Sequence, residues 1–130
     1  MRWLHLIVGL AMFVIFAVTG QYMRADFPDK EAIPQDFRLL MRSRHIYILF
    51  SALIHLTLAA YLRFGPVKPA KIMQLAGSGF LLIASVYLVR AFIVETYSTH
   101  QFTDLSRSGI YASLAGVALH LIGGLAQKRA

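Results

Sequence analysis

Three features of the 130 residues predict an all-α integral membrane protein, a four-helix bundle whose spans run up, down, up and down. Hydrophobic residues make up 58% of the chain and charged residues only 15%, and the mean hydropathy of +0.61 is too apolar for an ordinary soluble domain of this length. The apolar residues gather into four windows of about 20 residues, the length needed to cross a hydrocarbon core about 30 Å thick. Between the windows lie polar stretches that hold most of the charges and all four prolines. Little chain is left for a soluble domain, which excludes a Rossmann-type enzyme, a disulfide-stapled secreted module and a disordered tail. The absence of cysteine excludes thiol catalysis, iron–sulfur clusters and cysteine-ligated zinc.

The first span is expected at Trp3–Met23. A cleaved signal peptide competes for this segment. Its apolar run, however, exceeds an h-region of about 7–15 residues, and Ala17-Val18-Thr19-Gly20-Gln21 is a poor cleavage site. Residues Pro34–Arg42 carry Phe37, Leu40 and Met41 at helical spacing, which predicts a short amphipathic helix on the membrane surface. It leads into a second span at His45–Phe64. The third and fourth spans follow at Lys71–Val94 and Gly109–Gln127, so that residues 1–130 form one membrane domain.

Charge sets the orientation. One side would carry Arg2, Arg63, Lys68, Lys71, Lys128 and Arg129 and no acid, whereas the other offsets seven basic residues with all six acids. Lys/Arg counts are nearly tied, but the acid-free, short-looped side is the better cytoplasmic face. Both termini are therefore expected in the cytoplasm, in a bacterial inner membrane. The formal charge of +7 then describes a cationic rim against anionic lipid. No basic run with interleaved aromatics points to nucleic acid. Trp3, Tyr61 and Phe64 fall at one interface, and Tyr22, Tyr47, Tyr97 and Tyr111 at the other.

Five histidines go beyond what a generic bundle needs: His5, His45, His55, His100 and His120. Ionisable groups inside a span are costly and usually face a partner or cavity. His55 and His120 lie at about the same depth, and in an up-down bundle the second and fourth spans face each other across the core. That pair is a candidate clamp for a metal cofactor, and His5 with His120 is a second possible pair. His45 enters from the external side, with His100 as its only external partner by sequence. Gly116, Gly123 and Gly124 lie one turn from His120, and Gly9 one turn from His5. Small residues at that spacing either admit a porphyrin edge or allow close helix packing. Arg90, near the external end of the third span, either pairs with Glu95 or snorkels. Its functional alternative is to neutralise a haem propionate or an acidic group.

With Arg2-Trp3-Leu4-His5 opening the first span, Thr19-Gly20 closing it, His45 starting the second and His120 late in the fourth, the chain resembles the four-helix membrane cytochromes b. These are the cytochrome b561-like proteins and the cytochrome subunits of formate dehydrogenases and nickel–iron hydrogenases. The resemblance implies ligands from the first, second and fourth helices, hence His5, His45 and His120. The family pairs two histidines on the fourth helix. Here the position of the second is Ser106, with His100 further out in the loop, which leaves one haem rather than two.

The expected function is transfer of electrons by a single b-type haem between the quinone pool and a partner protein, since two imidazole ligands leave no open iron position. Quinone is expected near His100, Arg90 or Tyr97. The alternative is a cofactor-free accessory subunit of a larger membrane complex or homo-oligomer, because no hydrolase or metalloprotease motif is present. A transporter would ordinarily place a carboxylate or a broken helix at midplane, but every Asp and Glu lies in a loop or at a span end. Proton movement through His55 and His120 is the remaining option of that class.

Overall fold

The computed structural model describes residues 1–29, 31–64, 66–95 and 103–128. Among them it contains four helices: α1 (Arg2–Asp26), α2 (Gln35–Tyr61), α3 (Lys68–Glu95) and α4 (Asp104–Lys128). All four are long and apolar enough to cross a membrane. Each is longer than the corresponding apolar window, because polar end turns continue the helix, although α2 stops at Tyr61, short of Phe64. His100 and Tyr97 lie outside the described residues.

The Pro34–Arg42 segment does not form a separate surface helix. Pro34 stands just before α2, and residues from Gln35 onward make the first turns of one continuous helix. The reason is packing: Phe37 and Met41 join the same apolar cluster as Ile48, Ala52, Met12 and Phe92, so the amphipathic stripe continues into the bundle. At its other end α2 stops at Tyr61, and Leu62 turns to extended backbone. Pro69 lies in the first turn of α3, where a missing N–H costs nothing.

Contacts between neighbouring helices run antiparallel. In α1 and α2, Arg2 Nε and Nη2 donate to the carbonyls of Ala59 and Ala60 at 3.0 and 3.3 Å, while Thr19 meets His45 at the opposite end. The guanidinium thus satisfies carbonyls at the end of α2, where the helix dipole favours a cation. It also fixes the register of the pair.

The tightest packing lies between α3 and α4, and it follows a seven-residue repeat on both. Helix α3 buries Ala70, Gly77, Ala84 and Ala91 in one row and Gln74, Leu81, Leu88 and Glu95 in the next. On α4 the matching rows are Ser106, Ser113 and His120, and Gly109, Gly116 and Gly123. A Cβ at Gly116 would sit 2.6 Å from Leu81 Cγ and 2.9 Å from the Gly77 carbonyl oxygen, and one at Gly123 would sit 2.9 Å from the Ala70 carbonyl oxygen. Glycine is what allows these backbones to approach, as in small-residue seams of membrane helices. Large apolar side chains such as Ile7, Leu10, Val86, Ile93, Leu114 and Leu121 cover the outside, as a lipid-facing surface requires.

Candidate functional site

Arg2, anchored at the end of α2, brings the histidines of α1 and α2 to one level. One turn along each helix from the Arg2–Ala59 contact lie His5 and His55, both fully buried. Their Nδ1 atoms are 2.7 Å apart, in hydrogen-bond contact. The two serines of α3 that stand seven residues apart flank this pair. Ser85 Oγ lies 2.9 Å from His55 Nε2 and 2.8 Å from Ser51 Oγ. Ser78 Oγ lies 3.0 Å from His5 Nε2 and 3.2 Å from His120 Nε2. The result is one unbroken chain through the core, Ser51–Ser85–His55–His5–Ser78–His120, fed by all four helices.

Counting hydrogens leaves two neutral arrangements of the chain. Ser78 and Ser85 lie within reach of the Gln74 and Leu81 carbonyls one turn back on α3 as well as of the imidazoles. With the Ser85 hydrogen on Leu81 and the Ser78 hydrogen on His5 Nε2, His5 donates to His55 from Nδ1, His55 donates to Ser85 from Nε2, and every bond from His120 to Ser85 points the same way. With the Ser85 hydrogen on His55 Nε2 and the Ser78 hydrogen on Gln74, His55 donates to His5 and His5 to Ser78. A charge in this apolar core is expensive, so the ground state is one of these neutral arrangements, and His120 can donate to Ser78 through Nε2 in both.

One lone pair is left over: His120 Nδ1 is buried and has no hydrogen-bond partner among the described residues. His120 also lines a cavity of about 450 Å³ at the ends of α2 and α4, together with Tyr61, Arg63, Pro66, Gln74 and Gln127. His120 is therefore the member of the chain that meets this cavity, with its Nδ1 buried behind the cavity wall. The far end of the chain, Ser51, is buried, as are Ile48 and Ala52 beside it on α2.

This arrangement differs from the one expected of a metal or haem site. The pair in direct contact is His5 with His55, and His120 joins through Ser78. Two imidazole nitrogens in hydrogen-bond contact leave no room for an iron between them. The Gly116–His120–Gly123 face, a candidate porphyrin shoulder, is filled by α3, and Gly9 by Leu56 at 2.9 Å. As packed, these residues do not fit a haem. Among the described residues no group of three histidine or acidic side chains is placed to hold a metal ion. His45 stands apart from the chain, its Nδ1 2.9 Å from Thr19 Oγ1 and its ring stacked on Phe16 at 4.1 Å.

Nor does Arg90 pair with Glu95. Arg90 is exposed, while the buried Glu95 carboxylate turns to α4. It accepts from Leu105 N–H at 2.8 Å, Ser106 N–H at 3.2 Å and Ser106 O–H at 2.7 Å. Its cation is the buried Arg44, Nε 3.9 Å away. Hydropathy gave no sign of Ser78 or of this Arg44–Glu95 contact. A hydrogen bond from a buried histidine to Ser85 was within reach of the sequence, since a polar group in a span needs a partner, and the signal available for Ser78 was its seven-residue spacing from Ser85.

The chain matches no protein-family model, no curated protein and no solved structure. What bears on its function is the buried chain of histidines and serines.

Proposed function

We propose that this protein accepts protons from one aqueous face and carries them along the histidine–serine chain into the core of the bilayer. In this reading the four helices cross a bacterial inner membrane alternately, with both termini and the His120 cavity on the cytoplasmic side. The observation that supports it most is the continuous set of hydrogen-bond contacts that joins His120, Ser78, His5, His55, Ser85 and Ser51 through the core.

The step balances without any co-reactant. A proton arriving at His120 Nδ1 forms a new N–H bond, and the Nε2 hydrogen passes to Ser78. The hydrogen Ser78 held passes to His5 Nε2, and the Nδ1 hydrogen of His5 passes to His55. His55 ends as the imidazolium, and His5 and His120 end as the opposite neutral tautomers. Because Ser51 ends in an apolar layer, the chain loads a proton at mid-depth and does not conduct across the membrane. A partner subunit or a mobile reactant would take it from there.

Hydrogen–deuterium exchange of the imidazole N–H groups in lipid nanodiscs tests this. His120→Leu removes the entry point without filling the cavity with charge. It is expected to slow exchange at His5 and His55 by about tenfold or more, which corresponds to about 1.4 kcal/mol in barrier per factor of ten. Unchanged exchange would overturn the relay.

A b-type haem electron carrier serving the quinone pool is the second reading. It is favoured by His5, His55 and His120 arriving from the first, second and fourth helices at one level. It requires the His5–His55 contact to open and the helices to part. Reduced and oxidised absorption spectra of the protein purified without stripping cofactors separate the two: sharp six-coordinate haem bands support the carrier, and a colourless folded protein supports the relay.

A further inference from the structure

At the end of the bundle away from His120, a second cavity of about 250 Å³ lies between the last turns of α1 and the first turns of α2. Its walls are of two kinds. Gly20, Met23, Phe27, Ile33 and Met41 are apolar, while Arg24, Arg38 and Arg42 are three arginines in the same lining. The acids of the connecting segment, Asp26, Asp29, Glu31 and Asp36, do not line it. Among the described residues no ion pair engages Arg24 or Arg42.

The depth of this cavity matters. The apolar window of α1 ends at Met23 and that of α2 begins at His45, so the cavity lies where hydrocarbon gives way to head groups. Guanidinium groups are planar, permanently charged forks that match phosphate oxygens with two hydrogen bonds each. Gly20 keeps the floor open: a Cβ there would meet only the His45 ring, at 3.3 Å.

We infer that this cavity binds the phosphate of an anionic phospholipid, with Arg24 and Arg42 on the phosphodiester and Met23, Phe27, Ile33 and Met41 against the glycerol and first acyl carbons. The inference rests on the membrane reading of the fold and is independent of the proton relay. A zwitterionic lipid offers the same phosphate but brings its own cation to the arginine cluster, so it should bind more weakly.

The test is thermal unfolding of the delipidated full chain in detergent. It is read with added phosphatidylglycerol, phosphatidylcholine or inorganic phosphate. Phosphatidylglycerol is expected to raise the Tm saturably, and Arg24→Ala/Arg42→Ala to weaken that apparent affinity by about tenfold or more. An equal charge loss elsewhere, Arg90→Ala/Arg107→Ala, should leave it unchanged. Arg24 and Arg42 are both exposed, so the unliganded Tm of the double variant reports whether it folds. Equal shifts with phosphatidylcholine, or an equal loss in the control variant, would overturn the site as specific. Saturation by inorganic phosphate alone would overturn the lipid and leave a free-anion site. A chain that stays folded and monomeric without detergent would instead refute the membrane reading.

Discussion

Glu95→Ala is expected to lower stability by about 3–5 kcal/mol, the cost of removing one partner of a buried charge pair. The carboxylate accepts both backbone N–H groups at the start of α4 and the Ser106 hydroxyl, and it is the counter-charge of Arg44. Its loss takes the N-terminal cap from α4 and removes a counter-charge of the buried Arg44 guanidinium. Glu95→Gln keeps an acceptor for the α4 N–H groups but not the charge, so it should fall between alanine and the native protein. Thermal unfolding in detergent reads all three, and an alanine variant that melts with the wild type would refute the role given to Glu95.

The second large effect is expected at Gly116. A valine there has to find room 2.6 Å from Leu81 Cγ and 2.9 Å from the Gly77 carbonyl oxygen, and the backbone atom cannot yield without moving α3. Overpacking of this kind costs about 1–3 kcal/mol and sometimes more. It also shifts His120, one turn along, away from Ser78. Gly116→Val should therefore melt lower and lose the His120 link together. Gly124, with nothing within 4 Å of its Cβ position, provides the contrast: Gly124→Ala should be neutral or stabilising by up to about 1 kcal/mol through helix propensity. Equal behaviour of the two variants in unfolding and in solubilised yield would contradict the close α3–α4 seam.

How much of the molecule could be read from its sequence divides along physical lines. Spans are set by the sum of side-chain transfer energies over a window, which is local, so the four helices were legible. The buried histidines were legible for the same reason, since each imidazole stands out against its apolar neighbours. What could not be read was register. His5 meets His55 because Arg2 reaches the carbonyls of Ala59 and Ala60, far away along the chain. Glu95 turns to Arg44 rather than to Arg90, the nearer cation in sequence, because Arg90 faces outward and Arg44 faces the core. An interhelical bond from a histidine to Ser85 was legible, and His55 makes it, whereas Ser78 is nearly silent in hydropathy and only its seven-residue spacing from Ser85 marks it. Gly116 and Gly123 were visible as small residues beside His120, and only the position of α3 decides that they admit a helix rather than a cofactor. Thr19 and Gly20, conspicuous as a motif, serve His45: one bonds its ring, and the other leaves space next to it.

The relay stands on one bond above all, that between the imidazoles of His5 and His55. Nitrogen-15 NMR of histidine-labelled protein in lipid bilayers, recorded for scalar coupling across the hydrogen bond, observes that bond directly. The relay predicts a coupled pair made of one protonated and one unprotonated Nδ1, lost in His55→Leu and retained in His45→Gln. Two uncoupled rings, or ring signals shifted and broadened by an iron centre, would contradict it.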